Sequence, residues 1–202
     1  MAHENLWGQL IKLDGQQTAQ RAKCQYLSNP ACYIIAMLST EYVVDFSDRK
    51  IYPIGSRPND ESAGFLEQLC LLAYLINARD LPLANKLVNA HALPAGQFFF
   101  RGIHSLPTGK LEKAFGDCPS RLHDVSRQLG AERCEFGDGS IRLYVLPRVP
   151  LTVVVWGRCE EFEARASILF DESAADQLPL DALLAAVNLT LDALVEAANA
   201  DK

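Results

Sequence analysis

Gly137-Asp138-Gly139, Ile141-Arg142-Leu143-Tyr144-Val145, Leu151-Thr152-Val153-Val154-Val155-Trp156 and the run from Phe162 to Phe170 decide the fold class. A strand over about 131–136 leads into Gly137-Asp138-Gly139, a hairpin turn with residues that tolerate positive φ. Ile141 to Val145 alternates apolar and polar side chains. Leu151 to Trp156 is almost wholly apolar, which predicts burial on both faces. Phe162, Ala164, Ala166, Ile168 and Phe170 alternate with Glu163, Arg165 and Ser167, the pattern of a half-buried strand. The connections are short, so the expected topology is a four-strand antiparallel meander.

A meander with an apolar face needs a cover. The C-terminal stretch of about 180–198 repeats Leu180, Leu183, Leu184, Val187, Leu191 and Leu194 at helical spacing. A second candidate is a helix over about 60–78, capped by Asn59 or Asp60, in which Phe65, Leu69, Leu72 and Ile76 share a face. Between them Pro82, Pro94, Pro107 and Pro119 punctuate an irregular middle with short helices over about 111–115 and 119–129, the latter followed by Gly130. Upstream, residues of about 4–28 read as one helix with Asn5 as its cap, ended by Asn29-Pro30. Cys32 to Met37, Tyr42 to Phe46 and Lys50 to Ile54 read as strands, the last two joined at Ser47-Asp48-Arg49. The expected class is α+β: an antiparallel sheet, made of the C-terminal meander plus an N-terminal hairpin, covered by helices. Residues 1–202 are expected to form one domain, with parts at 1–58, 59–130 and 131–202.

The 202 residues carry 25 Asp and Glu against 19 Lys and Arg, a net charge of −6, and no basic stripe. That argues against nucleic acid and against an anionic membrane surface. No run of about 18 apolar residues offers a membrane span. Met1-Ala2-His3-Glu4-Asn5-Leu6-Trp7 has no secretory pattern, so the expected compartment is the cytoplasm. Cys24, Cys32, Cys70, Cys118, Cys134 and Cys159 are then expected as free thiols, mostly packed as small hydrophobes. Their spacing matches no zinc or cluster-binding run, and no metal site is expected.

No phosphate-binding glycine loop, dinucleotide fingerprint, metalloprotease helix or nucleophile elbow occurs. The most unusual stretch is Phe98-Phe99-Phe100-Arg101-Gly102-Ile103-His104. Three consecutive phenylalanines cannot all face one core from a helix. Arg101 and His104, three apart, would share a helix face and could hold an anionic planar ligand beside the rings, or a metal through His104. The commoner arrangement is a helix end whose Arg and His bond backbone carbonyls. Trp156 to Phe162 joins two strands, and Glu160, Glu161 and Asp171 carry oxygen ligands or an acid/base pair. Glu161 and Asp171 lie at opposite ends of a strand of roughly 33 Å, so a solvated acidic turn is the ordinary reading. Cys118-Pro119 places a thiol at a helix N-terminus, and Cys118, His123 and His104 could converge on a metal, although an N-cap role is commoner.

The order Leu106-Pro107-Thr108-Gly109, Phe115-Gly116, Leu129-Gly130, Leu146-Pro147-Arg148-Val149-Pro150, Trp156, Glu160-Glu161-Phe162 and Ile168-Leu169-Phe170-Asp171 resembles the family catalogued as domain of unknown function three-seven-eight-six. The resemblance runs from about Gly96 to Leu194, with looser similarity upstream. It implies an uncharacterised protein of a kind common in anaerobic bacteria and archaea, some members fused to a four-cysteine iron–sulfur domain like that of corrinoid proteins. No such cysteine spacing occurs here, and the resemblance implies no catalytic residues. Arg158-Cys159 stands where a more acidic pair is expected.

The expected function is a cytoplasmic binding module rather than an enzyme. Its ligand is expected to be a small organic cofactor, a tetrapyrrole or corrinoid being the most specific form, or a protein partner carrying one. Phe99, Phe100, Arg101, His104, Trp156 and Glu161 are its expected contacts. The alternatives are an enzyme using His104 or a buried carboxylate as general acid/base, and a structural or assembly partner, possible as a homodimer.

Overall fold

The computed structural model describes residues 3–56 and 62–200. Its first part runs α1 (Glu4–Leu10), α2 (Gly15–Ala22), β1 (Gln25–Ser28), β2 (Ala31–Met37), β3 (Thr40–Asp45) and β4 (Lys50–Pro53). The four strands pair antiparallel in chain order. The single helix expected over 4–28 is therefore two helices and a strand. Asp14 restarts the helix by accepting the Gln17 amide at 2.8 Å, and Lys23 ends it in the left-handed region. Gln25–Ser28 leaves the helical pattern because it pairs with β2, with Tyr26 opposite Tyr33 and their ring centroids 5.2 Å apart. Asn29-Pro30 is then the turn between β1 and β2 rather than a helix end. Asn5 lies inside α1, whose cap position is His3.

Next come α3 (Phe65–Asn77), β5 (Leu87–Asn89), a 3-10 turn at Ala90–Ala92, α4 (Gly96–Phe99), a second 3-10 turn at Gly102–His104, α5 (Gly109–Phe115) and α6 (Arg121–Ser126), which tightens into a 3-10 turn to Leu129. The cap position of α3 is Gly64, later than expected; Asn59 and Asp60 lie outside the described residues. The chain ends with β6 (Glu132–Arg133), β7 (Gly139–Leu146), β8 (Val149–Trp156), β9 (Arg165–Asp171), α7 (Ala174–Gln177) and α8 (Leu180–Ala200). The fold is α+β, and the second sheet has the order β5-β9-β8-β7-β6, all antiparallel.

The meander stands with three differences. Its first strand is only two residues long, because the chain turns on the Ser140 hydroxyl, which accepts the Phe136 amide at 2.9 Å. The turn needs positive φ at Gly137 alone. The last strand begins at Arg165, so Phe162 is loop and 62% exposed. A fifth strand, β5, joins from the irregular middle.

Val149 to Val155 of β8 is buried throughout, as a strand covered on both faces must be. Leu183, Val187, Leu191 and Leu194 of α8 are buried as the helix packs against α3, α5 and α6. Each such side chain contributes roughly 1.5–3 kcal/mol. The two sheets meet where the Leu38 amide bonds the Val145 carbonyl at 2.9 Å. Arg148, in the β7–β8 turn and 7% exposed, holds that junction. Its Nε donates to the Arg21 carbonyl at 2.7 Å, one Nη to the Leu81 carbonyl at 3.0 Å, and the other to Asp80. Among the described residues no helix is long and apolar enough to cross a membrane.

Candidate functional site

The three phenylalanines face three ways, because α4 is a single turn that breaks at Phe100. Phe98 points outward, 71% exposed, with the Arg101 guanidinium 5.9 Å from its ring centre. Phe100 is 2% exposed and lies 6.2 Å from the Phe170 ring of β9. Phe99 stands edge-on to Phe100 at 5.1 Å and lies flat on the His104 imidazole at 4.7 Å. Gly96 lets this turn approach the preceding one: a Cβ there would sit 2.0 Å from the Ala90 carbonyl oxygen. Arg101 is extended and Gly102 has φ +56°, so Arg101 and His104 do not share a helix face. The helical geometry expected for that pair fails because a turn this short cannot continue past Phe100.

Beside this segment lies a cleft of about 530 Å³. Phe100 and Ile168 form its buried floor; Arg101, His91, Ser105 and Ala166 stand around it. No Asp or Glu lines it, and no carboxylate partner is found for Arg101 or His91 among the described residues.

At the strand edge in this cleft, β5 pairs with Leu169 to Asp171 only, because Asn89 accepts the Ala92 amide at 3.0 Å and turns the chain away. The Glu172 amide bonds the Lys86 carbonyl at 2.9 Å, and the Ala166 amide bonds Glu112 Oε1 at 3.1 Å. In an antiparallel ladder the hydrogen-bonding direction alternates residue by residue. Even-numbered residues of β9 therefore direct their peptide groups away from β8. The peptide groups of Ile168 and Ala166 face this side, where the Asn89–Leu169 pairing carries the ladder as far as Ile168 and Glu112 takes the Ala166 amide.

Of the residues expected to form one site, Phe100 and Arg101 line this cleft, while Phe99 and His104 flank it through ring contacts. Trp156 lines a second groove of about 470 Å³ with Phe162, Cys159 and Arg165. Glu161 is exposed in the loop between β8 and β9 and lines neither. Sequence reasoning leaves His91 as an isolated surface or loop residue and does not single out the β9 edge. No local signal marks them, since both depend on where β5 stops pairing.

The other candidates have structural roles. His123 Nε2 lies 3.0 Å from the Ser140 carbonyl oxygen and fastens α6 to β7. Cys118 is exposed, with its sulfur 3.4 Å from the Ser120 hydroxyl, and Ser120 holds the cap position of α6. Among the described residues no three His, Cys, Asp or Glu side chains converge as metal ligands, so Cys118, His123 and His104 stay apart. Asp171 is buried and accepts the Ala84 amide at 2.9 Å, the Asn85 amide at 2.8 Å and the Ser173 amide at 3.0 Å, besides the Ser173 hydroxyl. Burial pushes its carboxyl up, but the Ser173, Ala84 and Asn85 hydrogen bonds together hold it below the usual carboxylate value. All six cysteines are unpaired: Cys32 and Cys70 buried, Cys24 and Cys134 half-buried, Cys118 and Cys159 exposed.

Residues 14–193 match the family described as Domain of unknown function (DUF3786), a longer span than the resemblance quoted from the second half of the chain. No curated protein and no solved structure matches the chain.

Proposed function

We propose that this chain, which belongs to the DUF3786 family, is a cytoplasmic binding module rather than an enzyme, and that a carboxylate-bearing ligand occupies the cleft between Arg101 and the outer edge of β9. The observation that carries this reading is a guanidinium with no carboxylate partner among the described residues, beside an apolar floor in a cleft that no described Asp or Glu lines, on a chain of net charge −6. A guanidinium in such a place favours a carboxylate by charge and by its fork of donors. The acid/base alternative needs His104, Arg101 and a carboxylate within hydrogen-bond reach. His104 instead lies against Phe99 outside the lining, and no carboxylate stands in it.

A second reading keeps the tetrapyrrole or corrinoid. It is favoured by the exposed His104 imidazole, which lies flat on Phe99 at the rim of the same segment and has its ring nitrogens free to ligate a metal centre. One experiment tests both. ¹⁵N-labelled protein is titrated with haem, cobalamin and an acidic peptide, alongside the Arg101→Glu and His104→Ala variants. Resonance shifts at Gly102, Ser105 and Ser167 that vanish in Arg101→Glu are expected. Perturbation by none of the three ligands, or shifts confined to the Trp156 groove, would overturn the cleft reading.

A further inference from the structure

We infer that the ligand of this cleft is a small amphipathic monocarboxylic acid, and that Arg101 to Ser105 is a flap that closes over it and sets Ile103 on its apolar body. This rests on the cleft reading above and names its ligand class.

The flap is defined by where the chain is held. Phe100, 2% exposed, anchors one end in the cleft floor, and Leu106, half-buried against the core, anchors the other. All five residues between them are exposed, and the turn Gly102–His104 contains no buried residue. Arg101, Gly102 and Ser105 line the cleft, and His104 lies flat on Phe99 beside it. Gly102 has φ +56° and open space where a Cβ would stand, so no side chain obstructs a rotation there. Segments with few buried contacts open and close at low cost, and binding lids are drawn from them.

Ile103 is the side chain that closure would bury. At 94% it is the most exposed of the large apolar residues described. A single exposed isoleucine is ordinary on a surface. This one stands between Gly102 and Ser105, which both line the cleft, so rotating the strip carries it over the mouth. Five residues tethered at both ends reach outward by roughly 10 Å, enough to cover one small molecule.

The lining supplies the ligand chemistry. Arg101 faces no described Asp or Glu in the cleft, and one guanidinium takes one carboxylate through two parallel bonds. Phe100, Leu106, Ala166 and Ile168 offer hydrocarbon to the rest of the molecule. A volume of about 530 Å³ falls among clefts that hold small molecules, roughly 300–1,000 Å³.

The test uses the full chain, labelled with ¹⁵N and at the isoleucine methyls with ¹³C. It is titrated with octanoate and phenylacetate at up to millimolar concentration. Octanol lacks the charge and acetate lacks the apolar body, so both serve as controls. Octanoate and phenylacetate are expected to shift the Ser167 amide and the Ile103 methyl, with ligand protons close to that methyl. The two controls should bind about tenfold more weakly or worse. Ile103→Ser should lose about tenfold in octanoate affinity while its free spectrum reports an intact fold. Arg101→Glu should abolish the shifts. Octanoate that moves Ser167 but not the Ile103 methyl, or that binds Ile103→Ser as tightly as wild type, would overturn the inference. Equal binding of octanol would do the same, since the carboxylate would then contribute nothing. Arg101-dependent binding of haem, cobalamin or an acidic peptide, with neither acid bound, would overturn the ligand class and leave the cleft reading standing. Binding of none of these ligands at Arg101 would overturn both.

Discussion

Glu112 Oε1 accepts the Ala166 amide at 3.1 Å, so a helix side chain, rather than a strand, finishes the edge of β9. This contact ties α5 to the sheet. Glu112→Ala should lower stability by about 1 kcal/mol, because it leaves a donor without its acceptor. Glu112→Gln keeps an oxygen acceptor and should recover most of the loss. Urea unfolding of the three proteins measures this; equal midpoints would show that the contact contributes nothing.

Arg148 is the most deeply placed cation described, and it ties two segments: α2 through Arg21, and the stretch beyond α3 through Leu81 and the exposed Asp80. Arg148→Ala should cost about 3 kcal/mol, since two carbonyls lose their donors. Arg148→Lys should recover less than half of it, because one ammonium cannot span the positions that the planar fork reaches. Midpoints should fall at an unchanged denaturant slope. A full rescue by lysine would mean that charge alone suffices at the junction.

Asp171 holds the segment before β5 through two backbone amides. Its folded carboxyl lies below the usual value, so it binds a proton less readily folded than unfolded. The stabilisation is present above the unfolded value of about 3.9 and is lost as pH falls through the lower folded one. Asp171→Asn should therefore melt lower than wild type at neutral pH, and the gap should narrow on acidification. A gap that stays constant down to the acid limit would contradict this account.

The six thiols should divide by exposure. Burial pushes Cys24 up to about 12, and it pushes Cys32, Cys70 and Cys134 up as well. A brief exposure to iodoacetamide at neutral pH should mark Cys118 and Cys159 first, since the thiolate is the reactive form. Peptide mass spectrometry reads the order. Early labelling of Cys70 would mean that α3 and α8 open locally.

Gly96→Ala should disturb the cleft without unfolding the chain, because the added Cβ meets the Ala90 carbonyl oxygen at 2.0 Å. The expected result is a set of shifted resonances from Ala90 to Ser105 and at Ile168, with α8 unchanged. Shifts spread over the whole spectrum would show that the turn is part of the core rather than an attachment to it.

The elements legible in the residues are those whose partners lie close in the chain. The β7 to β9 meander and α8 announce themselves because periodicity reports which face of an element is buried, and short connections leave few ways to pair. The Phe98–His104 segment stands out by its composition, and in the fold it borders a cleft. Helical spacing does not describe its internal geometry, because α4 ends after one turn. The single N-terminal helix fails for a related reason: Tyr26 carries no sign that Tyr33 will draw Gln25–Ser28 into a sheet.

The residues by themselves determined the α+β class, the antiparallel meander and the family, because local period and motif order depend on neighbours along the chain. Only the tertiary structure decided that Arg101 and Phe100 share a cleft with His91 while Trp156 and Glu161 do not. It also decided where the pairing of β5 with β9 stops. That outcome depends on β5, a strand of three residues whose pairing with β9 spans some eighty positions, and no local pattern encodes where such a pairing stops.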